Sequence, residues 1–117
     1  MSEGDLRRGF ELFNEAKYFE AHEALEDVWR ASPPAEKKFF QGLVQVAVAF
    51  HHHSTGNLVG MRSVLHRAAK NLAPAPADFA GIDLKRLLDS LGRWQIAIEQ
   101  ERPKPPLPQM EQIGPER

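Results

Sequence analysis

The sequence predicts an all-α protein, a compact bundle of about five helices followed by a proline-rich C-terminal tail. Apolar residues recur every three or four positions in successive segments, and no segment shows the two-residue alternation of a half-buried strand. Prolines and glycines interrupt this pattern where helices are expected to end. At 117 residues the chain is long enough for one well-buried core and too short for two. We therefore expect one domain over residues 1–101 and an extended tail over residues 102–117.

The first two helices are predicted to form an antiparallel hairpin. Asp5 is a suitable N-cap for helix 1, which is followed almost at once by helix 2. Helix 2 is expected to run through Arg30 and to be stopped by Pro33 and Pro34, because proline lacks an amide hydrogen and restricts the residue before it. The connection between the two helices is so short that they must be neighbours.

Helix 3, from about Ala35 to Ser54, is apolar nearly all round and is expected to be the central, buried helix. A narrow polar stripe interrupts it and contains Gln41, Gln45 and His52. Polar groups buried there need partners, because an unpaired buried amide costs roughly 1–3 kcal/mol. Gly42 borders this stripe and would let another helix approach closely.

Two further helices complete the predicted bundle. Gly56 is suited to a left-handed C-terminal cap of helix 3, and Asn57 to the N-cap of helix 4. Helix 4 is expected to end at Pro74, and Asp83 to cap helix 5. From Arg102 the prolines exclude a helix, so the tail is expected to be extended, either lying on its own domain or disordered.

The composition is that of an ordinary soluble globular protein. Hydrophobic residues make up 42%, charged residues 26%, and the formal net charge is −1. This balance predicts no attraction to nucleic acid. No apolar run is long enough to cross a bilayer and no secretory segment is apparent, so we expect no membrane association and a cytoplasmic location. Cysteine is absent, which excludes disulfides and thiolate ligands.

The segment from Tyr18 to Trp29 places ionisable residues where an amphipathic helix normally has apolar ones. At about 100° per residue, His22 lies on the same face as Tyr18 and Trp29. Glu26 follows one turn later, just beyond the edge of that face, so the two side chains can contact each other or one common ion. Glu23 points about 100° away from His22 and is marginal to this site.

If helices 2 and 3 face each other, His22 and Glu26 meet the polar stripe of helix 3. Gln41 and His52 are eleven residues apart, roughly 16 Å along a helix, so only one of the two can lie close to His22. Two imidazoles and one carboxylate, from His22, His52 and Glu26, would suit zinc, iron, manganese or nickel and leave positions open for water or substrate. Metal-bound water would make hydrolysis the natural reaction class. The residues expected to line this site are Glu23, Trp29, Gln41, Gln45 and Asn57. No nucleophile motif or phosphate-binding loop is present, so catalytic residues and substrate stay unassigned.

The same residues also permit an interpretation without a metal. His22 and Glu26 would bond to each other and to the glutamines of helix 3, forming a buried network that sets helix register. The protein would then be a helical interaction module or a homodimer. In either case His51 and His53 point away from the stripe and are expected at the surface or at an interface.

Three sequence blocks, in order, resemble the bacterial and archaeal domain-of-unknown-function three-hundred-and-nine family. They read FNEAKYFEAHEALEDVW, FFQGLVQVAVAFHH and GNLVG and span roughly Leu6 to Leu72. His22, Glu26 and Trp29 match the family's HxxxExxW motif. The resemblance implies a compact helical bundle and a metal-binding role for the motif without an established reaction. It gives the metal and network interpretations about equal weight and implies no substrate.

Overall fold

The computed structural model describes residues 3–113, which form five α-helices and two short 3-10 helices. The α-helices are α1 (Glu3–Asn14), α2 (Tyr18–Ala31), α3 (Lys37–Ser54), α4 (Leu58–Leu72) and α5 (Leu84–Glu99). Residues 3–113 contain no β-strand, and their one β-type pairing is an isolated antiparallel bridge between Ile82 and Gln112. The predicted all-α class is therefore confirmed. None of the described helices is both long and apolar enough to span a membrane. The ends of the predicted domain and tail, residues 1–2 and 114–117, lie outside the described range.

Local chemistry sets most of the helix boundaries. The side chains of Asn57 and Asp83 accept hydrogen bonds from the backbone N–H groups of Gly60 and Arg86 at 2.9 and 3.1 Å, which confirms both predicted N-caps. After α3, Gly56 adopts a φ of 81°, which a residue without a Cβ reaches at little cost.

The predicted start of the first helix is wrong. Asp5 lies inside α1, which already includes Glu3, so Asp5 is not its N-cap. A carboxylate in the first turn is also favourable, because it interacts with the positive end of the helix dipole. Sequence chemistry at this position therefore does not distinguish a cap from a first-turn residue.

Helix α3 lies at the centre and packs against both α2 and α4. Nine of its residues are buried: Phe39, Phe40, Gly42, Leu43, Val44, Val46, Ala47, Ala49 and Phe50. At its C-terminal end Phe50 lies 6.2 Å from Phe13 of α1 and 5.2 Å from Trp94 of α5, ring centre to ring centre and edge to face. The aromatic residues thus join three helices that are distant in sequence.

Helices α2 and α3 run antiparallel. The rings of Tyr18 and Phe50 are 5.9 Å apart at one end of the pair. At the other end Nζ of Lys37 donates to the carbonyl of Trp29 at 2.7 Å and lies 5.7 Å from the centre of its ring. These contacts determine which parts of α3 lie near the ionisable residues of α2.

Candidate functional site

His22 and Glu26 lie at the border between core and solvent on α2. The residues that α2 buries are Tyr18, Ala21, Leu25 and Val28. The sequence placed His22 on the buried face together with Tyr18 and Trp29. The buried stripe is in fact rotated away from Trp29, so His22 lies at its edge and not among the core residues. Nε2 of His22 is 3.8 Å from Oε1 of Glu26, and the two side chains are 25% and 28% exposed.

The carboxylate of Glu26 also contacts a cation. Nη2 of Arg30 lies 3.3 Å from Oε1 of Glu26, and Nη1 of the same guanidinium lies 3.4 Å from Oδ1 of Asp27. Arg30 is largely exposed, and an ion pair of this kind contributes about 0–1 kcal/mol to stability. The ion pair between Arg30 and Glu26 therefore costs little to break, and the contact with Asp27 does not depend on it.

An exposed aromatic ring adjoins the pair. Phe19 keeps 51% of its surface exposed, and its ring centre lies 5.8 Å from that of His22 and 5.7 Å from that of His51. Helix α2 thus presents an imidazole, a carboxylate and an apolar ring on one accessible surface. The third residue of the HxxxExxW pattern, Trp29, is half-buried and joins the end of α2 to the start of α3 through Lys37.

Two residues of the polar stripe of α3, Gln45 and His52, have their partners in α4 and in its N-cap. Nδ2 of Asn71 donates to Oε1 of Gln45 at 2.8 Å. Nδ1 of His52 lies 3.3 Å from Nδ2 of Asn57, the residue that caps α4. Gln41, one turn before Gln45, is half-buried. The expected network between the glutamines and the His22–Glu26 pair is thus replaced, at Gln45, by a bond to the other neighbouring helix.

The structure does not bring His22, Glu26 and His52 together around one point. Over residues 3–113, no three His, Cys, Asp or Glu side chains lie close enough to hold one metal ion. The predicted three-ligand set therefore finds no support in this arrangement, and Glu23 is exposed beside it. Two ligands at about 2.1 Å from a tetrahedral ion lie roughly 3.4 Å apart, so a small rotation would bring His22 and Glu26 to that separation.

His53, which the sequence predicted at the surface or at an interface, is half-buried against α5. Its ring lies edge to face 5.0 Å from Trp94, and its Nε2 is buried without a hydrogen-bond partner among the described residues. Burial lowers the pKa of His53, and the positive charge of Lys104 lowers that pKa further. No sequence signal near His53 reveals this, because its neighbours come from α5 and the tail.

A family model and two uncharacterised relatives match this chain. The model, described as "Domain of unknown function (DUF309)", matches residues 6–64. The uncharacterised protein YpuF of Bacillus subtilis (strain 168) is 35% identical over 93 residues, covering 70% of this chain and 49% of that protein. An uncharacterised protein of Aquifex aeolicus (strain VF5) is 36% identical over 87 residues, covering 68% of this chain and 26% of that protein. The chain thus spans half or less of either relative.

Proposed function

Because the chain belongs to the family described as "Domain of unknown function (DUF309)", whose description assigns no reaction, we propose a function from the site itself: His22 and Glu26 bind a divalent metal ion. The observation that carries this proposal is the 3.8 Å separation of Nε2 of His22 and Oε1 of Glu26 on an accessible face of α2. Residues one helical turn apart are spaced to hold one ion between them.

The donor atoms suit a transition metal. An imidazole nitrogen and a carboxylate oxygen are ligands for zinc, iron, manganese and nickel. Two protein ligands leave the other positions to water or to a bound molecule, and an ion held this way would supply Lewis-acid chemistry there. Arg30 opposes binding, because its guanidinium occupies the carboxylate that the metal needs.

Isothermal titration of the protein without an affinity tag tests this proposal, with zinc, manganese, nickel and ferrous ions as probes. We expect one ion per chain, with affinity reduced at least tenfold by His22→Ala and by Glu26→Gln, since each removes one of two ligands. Matched controls are His66→Ala and Glu20→Gln, which change exposed residues outside this site and should leave binding intact. Absence of binding for all four ions, or equal binding by His22→Ala, would overturn the proposal.

A second candidate function, a metal-bridged homodimer, is favoured by the exposed ring of Phe19 beside the half-site. In a two-fold dimer each copy presents the same surface, so two His22–Glu26 pairs can meet. Together they would supply four ligands, the number in a closed tetrahedral zinc site. The apolar surface of Phe19 would be covered in the same contact.

Light scattering with and without zinc separates the two candidates. A dimer should form only with zinc, and both Phe19→Ser and His22→Ala should prevent it. A monomer that binds one zinc ion per chain would support the simple metal site and exclude the bridged dimer.

A further inference from the structure

A groove between α4 and α5 combines an apolar wall with two guanidinium groups. It has a volume of about 440 Å³, and its lining includes Val59, Leu65 and Ile98 together with Arg62 and Arg67. This volume falls within the range of roughly 300–1,000 Å³ found for small-molecule sites. We propose that this groove binds a small organic anion, a carboxylate or phosphate that carries an apolar group.

The apolar wall is accessible. Val59 is 84% exposed, although the opposite face of α4 is buried in the core. Leu65 closes the inner side of the groove and belongs to the core. An alkyl or aromatic group lying against Val59 and Ile98 would remove apolar surface from water, which favours binding.

On the charged side of the groove, one of the two arginines is already paired with a carboxylate. Nη2 of Arg62 donates to Oε2 of Glu99 at 3.0 Å. Arg67 enters no ion pair within residues 3–113. Two guanidinium groups against one carboxylate leave a net positive charge, and the planar fork of arginine suits carboxylate and phosphate oxygens. A bound anion would contact Arg67 and compete with Glu99 for Arg62.

This proposal is independent of the metal site. Every residue that lines the groove belongs to α4 or α5, whereas His22 and Glu26 lie on α2. Failure of either proposal leaves the other untouched. The ligand needs both an apolar group and a negative charge. An inorganic anion has no apolar group to contact Val59, and a neutral amphiphile has no negative charge to contact Arg67.

Fluorescence titration with 1-anilinonaphthalene-8-sulfonate, an aromatic anion, tests the groove. We expect saturable binding of one dye per chain that octanoate displaces, whereas acetate and octanol at the same concentration do not. Arg67→Gln should weaken binding roughly tenfold, because it removes a hydrogen bond between charged groups. Glu99→Gln should strengthen binding a few-fold, because it releases Arg62 from its internal partner.

Two controls establish that the change lies in the groove. Arg93→Gln removes an exposed arginine of α5 that does not line it and should leave the dye affinity unchanged. Circular dichroism melts should show the same cooperative transition for all three variants, since the altered residues are exposed. Dye binding that is equal in Arg67→Gln and Glu99→Gln, that octanol displaces as well as octanoate, or that does not saturate would overturn the proposal.

Discussion

Glu26 has two partners on α2, the imidazole of His22 at 3.8 Å and the guanidinium of Arg30 at 3.3 Å. The first relation supports metal binding and the second competes with it. The sequence spacing alone shows that Glu26 can reach both partners, since each lies one helical turn away. The structure adds that all three side chains reach solvent, so an ion can enter without disturbing the core.

The competition predicts a gain of affinity on removing a charge. Arg30→Ala should raise the affinity for a divalent ion several-fold. In this variant Glu26 does not have to break an ion pair before its carboxylate binds the metal. Lys38→Ala serves as the control, since it removes an exposed cation from another helix. Isothermal titration measures the difference. Equal or weaker metal binding by Arg30→Ala would show that Arg30 does not compete for Glu26.

His53 links stability to pH. Its pKa is lowered in the folded protein by burial and by Lys104, so the unfolded chain binds a proton at this position more readily. The free energy of unfolding should therefore decrease as the pH falls through the ordinary histidine pKa of about 6.5. Urea unfolding between about pH 7.5 and about pH 5.5 should show a smaller decrease in His53→Leu than in the parent. The control Gln95→Leu, which replaces a half-buried polar residue of α5 that does not titrate, should keep the parent slope.

At the scale of the elements, α3 and α4 approach each other at Gly42. A Cβ at this position would lie 2.8 Å from both Cγ and Cδ2 of Leu72 and 3.3 Å from Cβ of Asn71. The same contact region holds the hydrogen bond between Gln45 and Asn71. Gln45 of the polar stripe and Gly42 beside it thus both contribute to the close packing of α3 on α4.

Two glycine substitutions should have opposite effects on stability. Gly42→Ala should destabilise the protein by about 1–3 kcal/mol, because the fully buried Leu72 must move to admit the methyl group. Gly92→Ala, in α5 where a Cβ meets nothing within 4 Å, should stabilise it by up to about 1 kcal/mol through helix propensity. Denaturant unfolding measures both. A neutral Gly42→Ala would mean that α4 shifts without cost.

At the scale of the whole molecule, the C-terminal tail packs against the first and last helices, α1 and α5. Asn14 of α1 exchanges two hydrogen bonds with the backbone of Met110, at 3.1 and 2.7 Å. Nε1 of Trp94 donates to the carbonyl of Pro106 at 2.9 Å. Met110 is 1% exposed, so the tail supplies a core residue as well as hydrogen bonds. The described part of the tail is therefore a packed portion of the fold.

Truncating the tail's core residue tests this role. Met110→Ala should destabilise the protein by about 2–5 kcal/mol, the usual cost of removing a large buried side chain. Leu107→Ala, on the same tail but 43% exposed, should cost much less. Thermal and denaturant unfolding compare the two variants. Equal, small effects would show that the tail contributes little to the core.

Local chemistry in the sequence determined the helices, the N-caps at Asn57 and Asp83, the central position of α3 and the pairing of His22 with Glu26, because each depends on residues within a few positions of one another. Only the tertiary structure decided that Gln45 bonds Asn71, that His52 contacts Asn57, and that His53 lies under Trp94. A helix with two neighbours can direct a polar stripe toward either one. The choice depends on packing of residues far apart in the chain, so the spacing on α3 showed that a partner was needed without identifying it.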